Sequence, residues 1–158
     1  MPDTSQQDRE HGGPNETAAA ALPKTPSNIE RLNPDGLPSG MGYCQVTVAR
    51  GTRIVHVSGQ VGIDAEGELV GPDHRSQIER AMRNLELALA AAGATIEDVV
   101  KSTFYVVDYS PDVLPALGEA SAEVFGSEAP DFAVTLIGVV TLADPRYKIE
   151  IEATAVLS

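Results

Sequence analysis

Tryptophan is absent from this sequence, and three Phe and four Tyr make aromatics only 4% of 158 residues. The core must therefore be built from Val, Ile, Leu and Ala, and a row of aromatic platforms for stacking bases is excluded. A single cysteine, Cys44, excludes an intramolecular disulfide and any multi-cysteine metal site. Basic residues are scarce: 11 Lys and Arg face 23 Asp and Glu, a formal net charge of -12. Counterion release from a polyphosphate needs clustered cations, so non-specific nucleic-acid binding and docking on anionic membranes are both disfavoured. No apolar run approaches membrane-spanning length, and no basic patch followed by an apolar stretch marks the beginning as a signal peptide. A cytoplasmic protein is expected. There is no glycine-rich phosphate loop, no nucleophile elbow, no zinc spacing and no solenoid repeat.

What is present divides in two. Residues 1–28 are rich in Pro, Gly, Gln, Asn and Thr, with Ala18 to Leu22 as the lone apolar cluster. Such a segment cannot bury enough surface to offset the entropy of ordering, so a disordered tail is expected ahead of a single domain at 29–158. In the domain, Tyr43 to Ala49 and Arg53 to Ser58 read as strands, joined across Gly51-Thr52 as a hairpin. Asp64-Ala-Glu-Gly67 reads as a turn. Ile78, Met82, Leu85 and Leu89 recur at helical spacing, with Asp73 as N-cap and Gly93 where a left-handed residue ends a helix. Val99 to Val107 is a strand, Asp112 to Val124 a second helix closed by Gly126, and Val134 to Leu142 and Tyr147 to Val156 are strands joined by a turn at Ala143-Asp-Pro-Arg146.

The order ββαβαββ indicates an α+β fold with one mixed sheet and two helices on one face. In the final strand Ile149, Ile151, Ala153 and Ala155 fall on one side, and Lys148, Glu150, Glu152 and Thr154 on the other. The apolar side suits the helices. The other mixes charge with β-branched bulk, and a small sheet open on one face commonly hides it by self-association, so a homo-oligomer is expected.

Few side chains suggest chemistry. Glu150 and Glu152 share a strand face, and paired carboxylates can serve as acid and base, although a solvated face gives the same pattern. Tyr43 follows a Gly-Met-Gly run, where its phenol could meet a ligand or simply pack. Ser58-Gly59-Gln60 ends a strand at a glycine open to close approach, as a plain turn would also be. His56, His74 and His11 show no metal-ligand spacing, and Cys44 reads as a small buried hydrophobe. Arg75, Arg80 and Arg83, interleaved with Glu79 and Glu86, read as a solvated helix face carrying i,i+4 pairs.

Several segments together resemble the Rid family, also called the YjgF or endoribonuclease L-PSP-like family. They are Asn33-Pro-Asp-Gly-Leu-Pro38, Gly42-Tyr-Cys-Gln45, Val57-Ser-Gly-Gln60, the Gln77 to Gly93 helix with Asn84-Leu85, Asp98-Val-Val-Lys101 and Ile149-Glu-Ile-Glu-Ala153. The resemblance implies a chorismate-mutase-like fold assembled as a homotrimer, with ligand clefts between subunits and no metal or organic cofactor. It implies hydrolysis of small enamines and imines to keto compounds and ammonia. Carried over by position, the water-activating glutamate falls on Glu150, the tyrosine on Tyr43 and the backbone turn on Ser58-Gly59-Gln60. The family's carboxylate-binding arginine falls on Val134, before Thr135, and a helix asparagine falls on Gly118. This sequence thus resembles an arginine-lacking subgroup. Val134 and Thr135 would shape the pocket, and the substrate would be a less acidic or uncharged small molecule unless another arginine, such as Arg53 or Arg146, reaches in from a neighbouring subunit. A trimer that binds a small molecule without turnover is the alternative. Ribonuclease activity is weighed against by the charge.

Overall fold

A computed structural model describes residues 28–158. Its elements run β1 (Ile29–Leu32), β2 (Val46–Ala49), β3 (Arg53–Val61), α1 (His74–Ala91), β4 (Val99–Val107), α2 (Val113–Phe125), β5 (Ala133–Val139) and β6 (Ile149–Leu157), with a 3-10 turn at Ile96–Asp98. The tail expected over 1–28 lies outside the described residues except for Asn28, whose side chain donates to the carbonyls of Arg50 and Val156.

The expected α+β class is found, with a mixed sheet and both helices packed on one face of it. The order gains a strand, β1, and two expected hairpins are corrected. β2 pairs antiparallel with β1 in a separate two-stranded sheet, while β3 crosses Gly51-Thr52 into the main sheet. That sheet has the order β3-β6-β4-β5, so β6 lies between β3 and β4, and β5 pairs parallel with β4 instead of folding back on β6. A turn brings two strands close in sequence, but burial decides which edges zip together. The strand expected over Tyr43 to Ala49 begins only at Val46, because Cys44 instead makes an isolated parallel bridge with Ala133.

The helices form where apolar spacing placed them. Ile78, Ala81, Met82, Leu85 and Leu89 of α1 are buried against β3 and β6, beside Ile149, Ile151, Ala153 and Ala155. Asp73 accepts from the Ser76 amide as N-cap, and Gly93 takes φ +75 after the last turn. Within the core Gln77 is completely buried, yet its amide donates to the carbonyls of Gly71 and Arg146 and its oxygen accepts from the Lys148 amide. Three and seven residues further on, Arg80 donates to the Ile63 carbonyl, and Asn84 to those of Val61 and Ile63. This polar row latches α1 to the loop that leaves β3.

The arginine face of α1 is only partly solvated. Arg83 makes the expected i,i+4 pair with Glu79, but Arg75 reaches across to Glu119 and Glu123 of α2. Among the described residues the opposite face of the sheet stays open. It carries Ile54, His56, Lys101, Tyr105, Glu150 and Glu152, and Ile54 is 67% exposed. Among the described residues no helix is long and apolar enough to cross a membrane.

Candidate active site

β3 carries an extra residue opposite β6. Val57 faces Ala153, but Gln60 faces Ile151, so Ser58 and Gly59 bulge out of the ladder. The bulge sets its glycine beneath Glu150. A Cβ built on Gly59 would lie 1.8 Å from Glu150 Oε1 and 2.6 Å from its Cγ, so the carboxylate rests on bare backbone. Among the described residues that carboxylate has no hydrogen-bond or ion-pair partner. Its neighbour Glu152 is engaged instead, accepting from the Tyr105 hydroxyl at 3.2 Å. Desolvation, then the bond to Glu152, push the Tyr105 phenol up from its usual range. Lys101 donates to Thr135 Oγ1 on the same face, and desolvation lowers its ammonium pKa against the opposing pull of Glu152.

Tyr43 and Val134 come together elsewhere. The Cys44 amide donates to the Phe132 carbonyl, which fixes Tyr43 at the start of β5. Tyr43, Phe104, Leu117, Gly118, Val134 and Leu136 line a cleft of about 430 Å³ beneath α2. Its walls are mostly apolar, and a Cβ on Gly118 would meet nothing within 4 Å. Cys44 is buried, as expected, and desolvation raises its thiol pKa.

The site residues expected from the sequence therefore fall into two groups in one chain. Glu150, Ser58 and Gly59 sit at the bulge, while Tyr43 and Val134 sit in the cleft. Thr135 belongs to neither, because alternation along β5 turns it to the open face beside Lys101. Among the described residues no group of three or more His, Cys, Asp or Glu could hold a metal ion.

Residues 37–157 match the family model described as endoribonuclease L-PSP. The chain belongs to this family, known also as Rid or YjgF. A solved Rid-family structure, YyfB of Yersinia pestis, is similar at a TM-score of 0.76 and 39% identity, over 82% of this chain and 99% of that one. The human protein named 2-iminobutanoate/2-iminopropanoate deaminase is 30% identical over 75% of this chain and 83% of its own length. A RutC family protein of Pyrococcus abyssi is 38% identical over 48% of this chain, and the match spans 59% of that protein. Imine-deaminase function thus occurs by name within the Rid family.

Against that family background the cations matter. Arg146 is held by Asp144 through three hydrogen bonds, the shortest 2.8 Å, and Arg53 lies at the far end of β3 from Gly59, donating to the Ala92 carbonyl at 3.4 Å. Neither is poised at this chain's own bulge. Arg80 is. It lines a groove of about 450 Å³ along the free edge of β3, together with Gly59, Gln60 and Asn84. The charge pattern of α1 alone places Arg80 on a solvated face. The signal that could have found it is the spacing Gln77, Arg80, Asn84, a polar row on one side of α1.

Proposed function

We propose that this Rid-family protein hydrolyses a small imine or enamine, releasing ammonia, in a cleft completed between subunits of a homotrimer. The observation that carries this reading is the unpartnered Glu150 carboxylate resting on Gly59. Such a carboxylate is free to take a proton from water as the water oxygen bonds to the imine carbon. It returns that proton to nitrogen, giving a carbinolamine. A second transfer, from the new hydroxyl to nitrogen, accompanies C–N cleavage, so ketone and ammonia leave and the carboxylate is regenerated. An enamine enters the same path once a proton has moved from its nitrogen to its carbon, which gives the imine. No cofactor is needed for these steps.

The separation of the two residue groups within one chain supports assembly. Glu150 with the bulge is one half-site, and the Tyr43–Val134 cleft is the other. The open sheet face, with exposed Ile54 and Ile137, supplies surface for a second copy to cover. The apolar cleft suits a hydrocarbon side chain.

The test oxidises amino acids of neutral, basic and acidic side chains to imino acids in situ, with semicarbazide competing for the imine. The expected result is faster hydrolysis with the wild type and none with Glu150→Gln, alongside a trimer mass by light scattering. If Glu150→Gln matches the wild type on every substrate turned over, the reading is wrong. Val134 and Gly118, where the family pattern carries arginine and asparagine, favour a second reading, a binding trimer without turnover. In that case the wild type is inactive, and Val134→Arg with Gly118→Asn gains the activity, since space for the asparagine is already present.

A further inference from the structure

We propose that Arg80 anchors a substrate carboxylate, taking over on α1 the task for which Val134 has no cation. This rests on the imine-hydrolysis reading and narrows its substrate class to 2-imino acids with an apolar side chain. Four arginines among the described residues have carboxylate neighbours: Arg50 with Glu30, Arg75 with Glu119 and Glu123, Arg83 with Glu79 and Glu123, and Arg146 with Asp144. Arg80 has none within 4 Å among those residues. Its Nε donates to the Ile63 carbonyl at 2.9 Å, which orients the guanidinium, and the side chain lines the groove. With Nε engaged, the two terminal nitrogens are the pair available to grip a carboxylate through two parallel bonds.

The one acidic side chain lining the groove is already occupied. Asp64 Oδ1 accepts from the amides of Glu66 at 3.1 Å and Glu68 at 2.8 Å, closing its own turn. The groove and Glu150 share Gly59: its backbone lines the groove, and its missing side chain makes room for the carboxylate. A carboxylate held by Arg80 therefore lies around the edge of β3 from the proton-handling group. In a chain of net charge -12 an anion gains no general attraction, so a local fork is what a carboxylate substrate requires.

The experiment compares the wild type with Arg80→Gln, Arg80→Lys and Arg83→Gln in the semicarbazide assay, using a 2-imino acid and an uncharged imine. Arg80→Gln is expected to raise KM for the imino acid roughly 30-fold or more, with kcat less affected and the uncharged imine unchanged. Arg80→Lys restores part of the loss. Arg83→Gln removes a cation of the same helix that pairs with Glu79 and Glu123 outside the groove, so it leaves that selectivity intact. If Arg80→Gln does not alter KM, or Arg83→Gln reproduces its effect, the inference is overturned while the hydrolase reading stands. If the wild type turns over nothing, that reading fails, and NMR of the Arg80 Nε–H during titration with 2-oxobutanoate decides the anchor alone: a saturable shift supports it and no shift overturns it.

Discussion

Glu150 occupies space above Gly59 that any other residue at position 59 would fill. Gly59→Ala would put a methyl group 1.8 Å from Oε1 and must turn the carboxylate aside. Overpacking of this kind costs about 1–3 kcal/mol of stability, whereas a misplaced reacting group costs about 100-fold in rate. Activity is therefore expected to fall much further than urea stability. Adding Gly59→Ala to Glu150→Gln should cost no further activity, because both act through one carboxylate.

Gln77 is the buried polar group on which α1, the loop after β3 and the start of β6 converge. Gln77→Leu keeps its bulk but leaves the Lys148 amide and the carbonyls of Gly71 and Arg146 unpaired. A loss of about 2–3 kcal/mol is expected. Urea unfolding should show a lower midpoint at unchanged slope.

Acid should weaken the fold through two aspartates. Hydrogen bonds from Arg146 bring Asp144 down from 3.8 to about 2, and the Ser76 amide lowers Asp73. Both are depressed in the folded state, so their contribution is complete above the ordinary carboxylate value and is lost as pH falls through the folded one. Between pH 4 and 2 the wild type should lose stability more steeply than Asp144→Asn. At neutral pH, Asp73→Ala should cost about 1 kcal/mol as a lost N-cap. Urea titrations at stepped pH measure both.

Cys44 should resist alkylation. It is 2% exposed, and desolvation holds the thiol in its protonated form. Iodoacetamide at pH 8 is expected to leave the native protein unmodified and to label one thiol in urea, as read by mass spectrometry.

The helices and the faces of β6 were legible because their signal is local: Ile78, Met82, Leu85 and Leu89 repeat at one period, and Ile149 to Ala155 at another. The hairpins misled for the opposite reason. Gly51-Thr52 is a turn, but the partner of Val55 is Ala155, a hundred residues on, and no local pattern reports that. β1 escaped notice because Ile-Glu-Arg-Leu is short and half charged. Arg31 ties it down through the carbonyls of Asp131 and Glu97, which only the folded chain brings near. Glu150 and Gly59 could be named from the family motif. Their contact required the bulge, and Arg80 required the groove beside it.

The placement of β6 also governs how the molecule is made. Every other strand precedes it in sequence, yet β6 supplies the seam between β3 and β4. Until it is synthesised, those two have facing edges with unmet amides and carbonyls, and α1 has half its apolar floor missing. A nascent chain can form its helices early, but the sheet closes only by insertion of a late strand into a waiting slot. Folding is thus committed to a slow, long-range step, and at high protein concentration an unfilled slot is open to the β6 of another molecule as well as its own.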